Sequence, residues 1–591
     1  MYVDSSFLIE FDSKKNNFSF SFSNIYPEPY TKVSHGSKVI VLGSPILKGR
    51  VNRKQVANEF AKFNKSVKAS ALDLDGEFLI IIHNISKGSI EVINDRYTSI
   101  PLYFYYDDQK FIASNKYLSV ARKLKTLNKF VVDGDNFFQF LWFRRLYDES
   151  TYDKKSRFLK AARIISIDSS KQNIDQYWKP SFKKSNDSLK SSAIDLADLI
   201  VDSLNKKTSD IEQLNKVGLF LSGGMDTRTI LAAILKQDLF KPTCYTLGYS
   251  KLGEYRVAKQ LTKSANLNHF FLKIPQDYYD KNWEAKNEIA SGMYNHLNNI
   301  FLGHDEIINK NSNIFFHGHG LDFMFQGMYL PTKVVNLFGK KTHFKKIIDL
   351  NKIDDFTEFF IFNSPYRMWR VDVGQFVKKQ YFRDLYDRMF STIKNIEQEG
   401  KELSNDNFDL WEYILTHTIS RHYSQTDVMG MATYGDQRKV ANDNQLFDFY
   451  LSMSLDKRKY ARVMKKTLNY LNNDFAKIIS ANTGCRIDSS PLNLTFEFAL
   501  KKFLSKFNPR YRLPTASDRT WPDEDQQIRS LQNLNRTIRK IHKSDYLHEY
   551  MPYMDFKKLE IMANKWLDGN KANGGQFLMC LLSIEEFLKS L

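Results

Sequence analysis

Residues 217–231 read Val217-Gly-Leu-Phe-Leu-Ser222-Gly-Gly-Met-Asp226-Thr-Arg-Thr-Ile-Leu231. The apolar run through Leu221 has the length of a buried parallel strand, Ser222-Gly223-Gly224 is a sharp turn, and from Thr227 the apolar spacing is helical. A strand, a glycine loop and a helix in this order make a cradle for an anion. Paired glycines let the main chain approach it without Cβ obstruction, while the first N–H groups of the helix point at it with the positive end of the dipole. Ser222 and Thr227 add hydroxyl donors, and Asp226 is placed to hold the Mg²⁺ that accompanies a polyphosphate. No lysine follows the glycines, so this is not the G-x-x-x-x-G-K-S/T loop. A bare Gly-Gly turn would serve equally as a plain connection; the strand before, the helix after and Asp226 favour the nucleotide reading.

Moving outward, Pro242–Gly248 and Asn268–Ile274 read as strands separated by a helix over Tyr255–Ala265. Alternating strand and helix predicts a doubly wound parallel sheet with its ligand at the carboxyl ends of the strands. Residues 314–328 repeat the pattern: Ile-Phe-Phe-His317 ends at the turn Gly318-His319-Gly320, and a helix begins with Asp322 in its first turn. Residues 411–466 read as mostly helical, and so does the chain from Phe496 onward, apart from a polar loop at Pro514 to Asp525. Residues 1 to about 130 read as short strands, among them Lys38–Leu42 and Glu77–His83. Phe137–Phe143 reads as a helix, Ile164–Ile167 as a strand, Ser181–Ser192 as a polar linker, and Ala193–Leu204 as the first helix of the second domain.

At 591 residues, two or three domains are expected, and 42% hydrophobic with 14% aromatic residues marks a globular chain. The first ten residues lack a basic segment leading into an apolar one, and no apolar run has the length of a membrane span, so the expectation is a soluble cytoplasmic protein. Cys244, Cys485 and Cys580 are far apart, which disfavours a disulfide framework or a cysteine-rich metal site. The formal charge of +19 raises nucleic acid or an anionic surface as partner. Its even spread, with no basic arm or stripe, favours a solvated Lys-rich surface instead.

The loop at Ser222–Thr227 resembles the S-G-G-x-D-S/T loop of the ATP pyrophosphatases, which split ATP between its α and β phosphates. Asp75-Gly76-Glu77-Phe78, Asn94-Asp95-Arg96-Tyr97, Ile100-Pro101-Leu102-Tyr103 and Phe111-Ile-Ala-Ser114 are similar, in order, to the strands of the class II glutamine amidotransferase domain. In asparagine synthetases that domain precedes the synthetase domain; an unrelated antiparallel sandwich is the alternative. The block around Asp322 resembles the family's G-E-G-x-D-E-x-x-x-G, whose Asp completes the Mg²⁺ site. His319 stands where the family has its catalytic Glu, and Phe323 replaces the second acid. Asp436-Gln-Arg438-Lys-Val-Ala-Asn-Asp443 is similar to V-E-x-R-x-P-F-L-D without its Pro-Phe, which leaves Arg438 structural or substrate-facing. Lys465-Lys-Thr-Leu468 resembles the K-x-x-L-R helix whose Lys lies near the phosphates, and Arg486 ends a loop that often carries a second active-site Lys.

The resemblance implies an α/β chain: a degenerate amidotransferase-like antiparallel sandwich over 1–180, an ATP pyrophosphatase domain over 193–490 and a helical extension over 491–591 packed on it. It implies an AMP-forming amide ligase that uses ATP and Mg²⁺. Ser222, Gly223, Gly224, Asp226, Thr227 and Gly320 would surround the nucleotide, with Phe220 and Leu247 beside adenine. Asp226 and Asp322 would hold the metal, and His319 and Lys465 would serve catalysis. His317 is either a satisfied strand-end residue or, with His319 and Asp322, part of a metal cluster. The substrate would be a small-molecule or glycan carboxylate other than aspartate. Position 2 is Tyr2 and the first cysteine is Cys244, so hydrolysis of glutamine by this chain's own first domain is not expected. The nitrogen would come from free ammonia, a separate ammonia donor or an amine. A tRNA-modifying ATP pyrophosphatase and a non-catalytic nucleotide-binding scaffold are the alternatives. Oligomeric state is not legible.

Overall fold

The computed structural model describes residues 5–34, 36–62, 66–298, 301–337, 340–368, 370–481, 483–508, 520, 523–570 and 573–591. Tyr2 and most of the loop expected at Pro514 to Asp525 lie outside the described residues.

The first part of the chain builds two antiparallel sheets. One runs in the order Arg157–Phe158, Tyr103–Tyr106, Lys110–Ser114, Ser6–Asp12 and Asn17–Ser23. The other runs Gln172–Gln176, Arg163–Ile167, Ser89–Asn94, Leu74–Asn84, Ser37–Leu47 and Tyr30–Ser34. The central strands of the second sheet read as unbroken apolar runs because both their faces are covered. Ile40, Leu42, Leu79 and Ile81 point toward Phe7, Ile9 and Phe11 of the facing sheet. The alternate residues Val39, Val41, Ile80 and Ile82 pack instead on Val56 and Phe60 of the helix Arg53–Lys62.

A parallel sheet follows, in the order His269–Lys273, Thr243–Gly248, Val217–Phe220, Ile314–His317 and Asp436–Lys439. The chain starts in the middle, moves to one edge, then returns to build the other. The switch point lies between Val217–Phe220 and Ile314–His317, where a crevice opens at the carboxyl ends. The helices Leu189–Thr208, Met225–Lys236 and Arg462–Leu471 share one core against this sheet. The helix of the expected linker region begins at Leu189, capped by Ser188, whose Oγ accepts the Ser191 N–H at 3.1 Å.

The edge strand Asp436–Lys439 corrects the helical reading of that region. All four of its residues are polar, so neither period nor hydrophobicity announces it. Distant partners compensate its burial: the Arg438 guanidinium, 2% exposed, pairs with Asp210 at 2.6 Å and with Asp436 at 2.7 Å. Glu77 of the antiparallel sheet accepts the Lys439 N–H and the Asn442 amide, each at 3.0 Å. A carboxylate thus covers a sheet edge that would otherwise stand open to pairing. Arg438 is structural. A hairpin, Thr332–Leu337 with Lys340–Ile347, was likewise not legible. The C-terminal helix Gly575–Lys589 reaches the first part of the chain as well as the second, its Phe587 ring stacking on Tyr117 at 5.3 Å.

Candidate functional site

The glycine loop follows from local sterics. Gly223 has φ +74°, and a Cβ there would sit 2.8 Å from Val257 Cγ1, so only glycine fits the turn. The Gly224 N–H donates to Ser222 Oγ at 3.2 Å, and the helix Met225–Lys236 starts without a side-chain cap. Its first N–H groups are therefore left to a ligand or water. Arg228 braces the loop from behind. Its buried guanidinium donates to the carbonyls of Gly223 at 2.7 Å, Phe475 at 3.0 Å and Ile478 at 2.9 Å. Burial pulls it down to about 10, so it stays charged at neutral pH and adds fixed positive potential beneath the loop. Sequence reasoning passed over Arg228, although its place one residue past Thr227 was in view.

The second block reaches the first through Gly318. A Cβ there would lie 2.6 Å from Asp226 Cβ, so glycine is what lets the turn after Ile314–His317 close onto the first turn of the loop helix. Asp322, in the first turn of Leu321–Phe325, thereby comes beside Asp226, whose Oδ1 accepts Gln326 Nε2 at 2.5 Å. Burial and then the Asp322 charge push the Asp226 carboxyl well above the usual carboxylate range, and burial raises Asp322 too. Two recessed acids, one of which raises the other's pKa, are suited to a cation. Among the described residues no group of three or more His, Cys, Asp or Glu side chains is gathered as a metal site. Two carboxylates nevertheless suffice for Mg²⁺ when polyphosphate oxygens and water complete its shell, so the residues present fit that ion.

A cavity of about 300 Å³ unites these parts. Phe220, Ser222, Asp226, Thr227, Leu247, His319 and Asp322 all line it, while Gly320 lines an adjoining small pocket with His319 and Asp322. Phe220 also belongs to the core, its ring 5.0 Å from Phe301 and 5.7 Å from Tyr245. His317 and His319 bond through their Nδ1 atoms at 2.7 Å, so one donates and the other accepts. Burial holds both imidazoles neutral, His317 well below its ordinary value and His319 down to about 3. Phe323 packs edge-on against Tyr450 at 5.7 Å, a core contact in place of an acid.

The remaining candidates stand apart. Lys465 does not line the cavity; its ammonium donates to the Ser489 carbonyl at 2.6 Å. Arg486 pairs with Asp488 at 2.7 Å. The wall that sequence reasoning missed is the segment His422 to Asp427. His422 bonds Ser424 Oγ at 2.6 Å and Tyr329 Oη at 2.9 Å, and Tyr329 reaches Tyr423 at 3.2 Å. No motif marks this segment; its role comes from contact with Tyr329 far away in sequence.

No family model matches the chain. Over 205 residues it is 27% identical to the Methanocaldococcus jannaschii protein named "Putative asparagine synthetase (glutamine-hydrolyzing) 2", a match that covers 33% of this chain and 37% of that protein. The chain is thus a distant relative of that protein, and spans little more than a third of its length. Among solved structures, the glutamine phosphoribosylpyrophosphate amidotransferase of B. subtilis complexed with ADP and GMP is 9% identical with a TM-score of 0.18, covering 46% of this chain and 59% of that one. The structure of the allosteric regulatory enzyme of purine biosynthesis is 7% identical with a TM-score of 0.19, covering 46% of this chain and 74% of that one. At such scores neither likeness bears on the fold or the chemistry. Among the described residues no helix is long and apolar enough to cross a membrane.

Proposed function

We propose that this chain is an ATP-dependent amide ligase that adenylates a carboxylate, releases pyrophosphate and transfers ammonia or an amine to the acyl group. The observation that carries the reading is the meeting of Asp226 and Asp322 at the mouth of an uncapped glycine loop, within one cavity. The distant likeness to a protein named as an asparagine synthetase supports it.

The loop from Ser222 to Thr227 would take the β and γ phosphates on its N–H and hydroxyl donors, with the Arg228 charge behind them. Asp226 and Asp322 would hold Mg²⁺, which neutralises polyphosphate charge. Phe220 and Leu247 offer an apolar wall to the base. A substrate carboxylate oxygen then attacks the α-phosphorus as the bond to the β-phosphate oxygen breaks, and the loop retains pyrophosphate. In the second step a nitrogen attacks the acyl carbon, AMP departs with the electron pair of the broken C–O bond, and the proton the nitrogen sheds passes to water, while the neutral His319 lines the cavity beside the reacting group. Catalysis is mainly positioning and charge neutralisation. Phosphorus NMR of a reaction with ATP, Mg²⁺, ammonium or a simple amine, and a panel of small and sugar carboxylic acids tests the reading. AMP and pyrophosphate in equal amounts, dependent on the acid, are expected; ADP with phosphate, or no turnover with any acid, contradicts it.

A further inference from the structure

The helix Pro491–Leu504 is covered on one side only. On the inner side Phe498 meets His343 of the hairpin, ring centroids 4.5 Å apart, and Lys501 donates to the Gly484 carbonyl at 2.5 Å. The outer side carries Leu492, Phe496, Leu500, Phe503 and Phe507, which are 66%, 68%, 43%, 58% and 74% exposed. Their spacing of four, four, three and four residues is one helical stripe, and the Phe503 and Phe507 rings touch at 5.3 Å where the chain leaves the helix. Single exposed apolar residues are ordinary on a protein surface, but five large ones in an unbroken row mark a contact surface.

The stripe has a basic border. Lys502 and Lys506 are exposed beside it, and Lys345, on the same hairpin face as His343 by strand alternation, is exposed as well. A second copy of this chain would cover the stripe but bring the same lysines toward each other across the two-fold axis. A nucleic acid would use the lysines and leave Leu492 and Leu500 without a role. An anionic bilayer satisfies both sets: the apolar row enters the boundary between headgroups and acyl chains, and the ammonium groups stay among the phosphates and carboxylates above it.

We propose that the Pro491–Leu504 helix and the adjoining hairpin dock this protein peripherally on an anionic membrane surface. The site cavity takes no part, so the inference is independent of the reaction assigned above. The test is co-sedimentation of the full chain with phosphatidylcholine vesicles, with and without phosphatidylserine. Binding to the phosphatidylserine vesicles that weakens with salt is expected, with little to phosphatidylcholine alone. Phe496→Ser with Phe503→Ser, and separately Lys502→Glu with Lys506→Glu, should each lower the partition at least roughly tenfold, since each surface lysine is worth about a factor of five. Both pairs are solvent-exposed, so their thermal unfolding should match the parent; if the Phe pair unfolds, the Lys pair decides alone. No vesicle binding by the parent, binding that the Lys pair leaves unchanged, or concentration-dependent dimers in place of vesicle binding that the Phe pair abolishes would each overturn the proposal.

Discussion

The Nδ1 atoms of His317 and His319 lie 2.7 Å apart, so the two rings share a single proton between those atoms. A second proton would set two N–H groups against each other. The ordinary pKa of a histidine would place an acid limb of activity between roughly pH 7 and 5.5 if His319 accepts a proton. Burial moves its titration down to about 3, so that limb is not expected. Pyrophosphate release should be flat across this range apart from other groups, and His319→Gln should leave the profile's shape unchanged while lowering the rate. A limb near pH 6.5 that His319→Gln removes would contradict this. The same burial bears on stability. Both histidines are depressed in the fold, so below about pH 6.5 the unfolded chain binds protons that the fold refuses, and stability falls with acid.

Arg228 is buried and bonded only to carbonyls. Arg228→Met keeps the volume but strands those oxygens, so unfolding free energy should fall by about 2–4 kcal/mol and nucleotide affinity by about tenfold. Urea unfolding and ATP titration calorimetry measure the two effects. A variant as stable as the parent would remove Arg228 from its bracing role.

Gly318 sets the approach of the two acid-bearing turns. Gly318→Ala puts a methyl 2.6 Å from Asp226 Cβ and must separate them. Overpacking of this kind costs about 1–3 kcal/mol, but the larger effect should be on pyrophosphate release, down about a hundredfold or more. Unfolding midpoints and single-turnover rates distinguish the two. Unaltered turnover would mean that Asp226 and Asp322 need not be adjacent.

Lys116 tests a different part of the fold. It is 3% exposed, and burial pulls its ammonium from 10.5 down to about 7. The folded pKa lies below the unfolded one, so the penalty is complete below pH 7 and fades as pH rises toward 10.5. Lys116→Met should change stability more favourably at pH 7 than at pH 9.5, on the order of 1.4 kcal/mol for each pH unit over which the parent's burial penalty fades. Urea unfolding at the two pH values reads this out; an equal change at both would contradict it.

What was legible in the sequence was whatever carried its own chemistry locally. Val217–Phe220, the glycine turn and Met225–Lys236 combine an apolar run, two glycines and helical spacing within twenty residues. Ser37–Leu47 and Leu74–Asn84 showed through as apolar runs because both faces are buried. Asp436–Lys439 did not, because its polar side chains are tolerated only through Asp210 and Glu77, which lie far away in the chain. His422 to Asp427 escaped because Tyr329, its partner, lies far away in the chain, and Lys465, whose local pattern points toward the phosphates, has its ammonium on the Ser489 carbonyl. The basic border of the Pro491–Leu504 helix was invisible in an even count of charges, since Lys345 joins Lys502 and Lys506 only when the hairpin is laid against the helix.

The central claim is that Asp226 and Asp322 act together on the pyrophosphate of ATP, and the most direct measurement is acid-dependent pyrophosphate release by Asp226→Asn, Asp322→Asn and the double variant beside the parent. Each single variant should fold normally and lose at least about a thousandfold in rate, and the double variant should be little worse than either, because residues acting on one ion are not additive. Rates within a few-fold of the parent in either single variant, or losses that multiply in the double, would contradict the account.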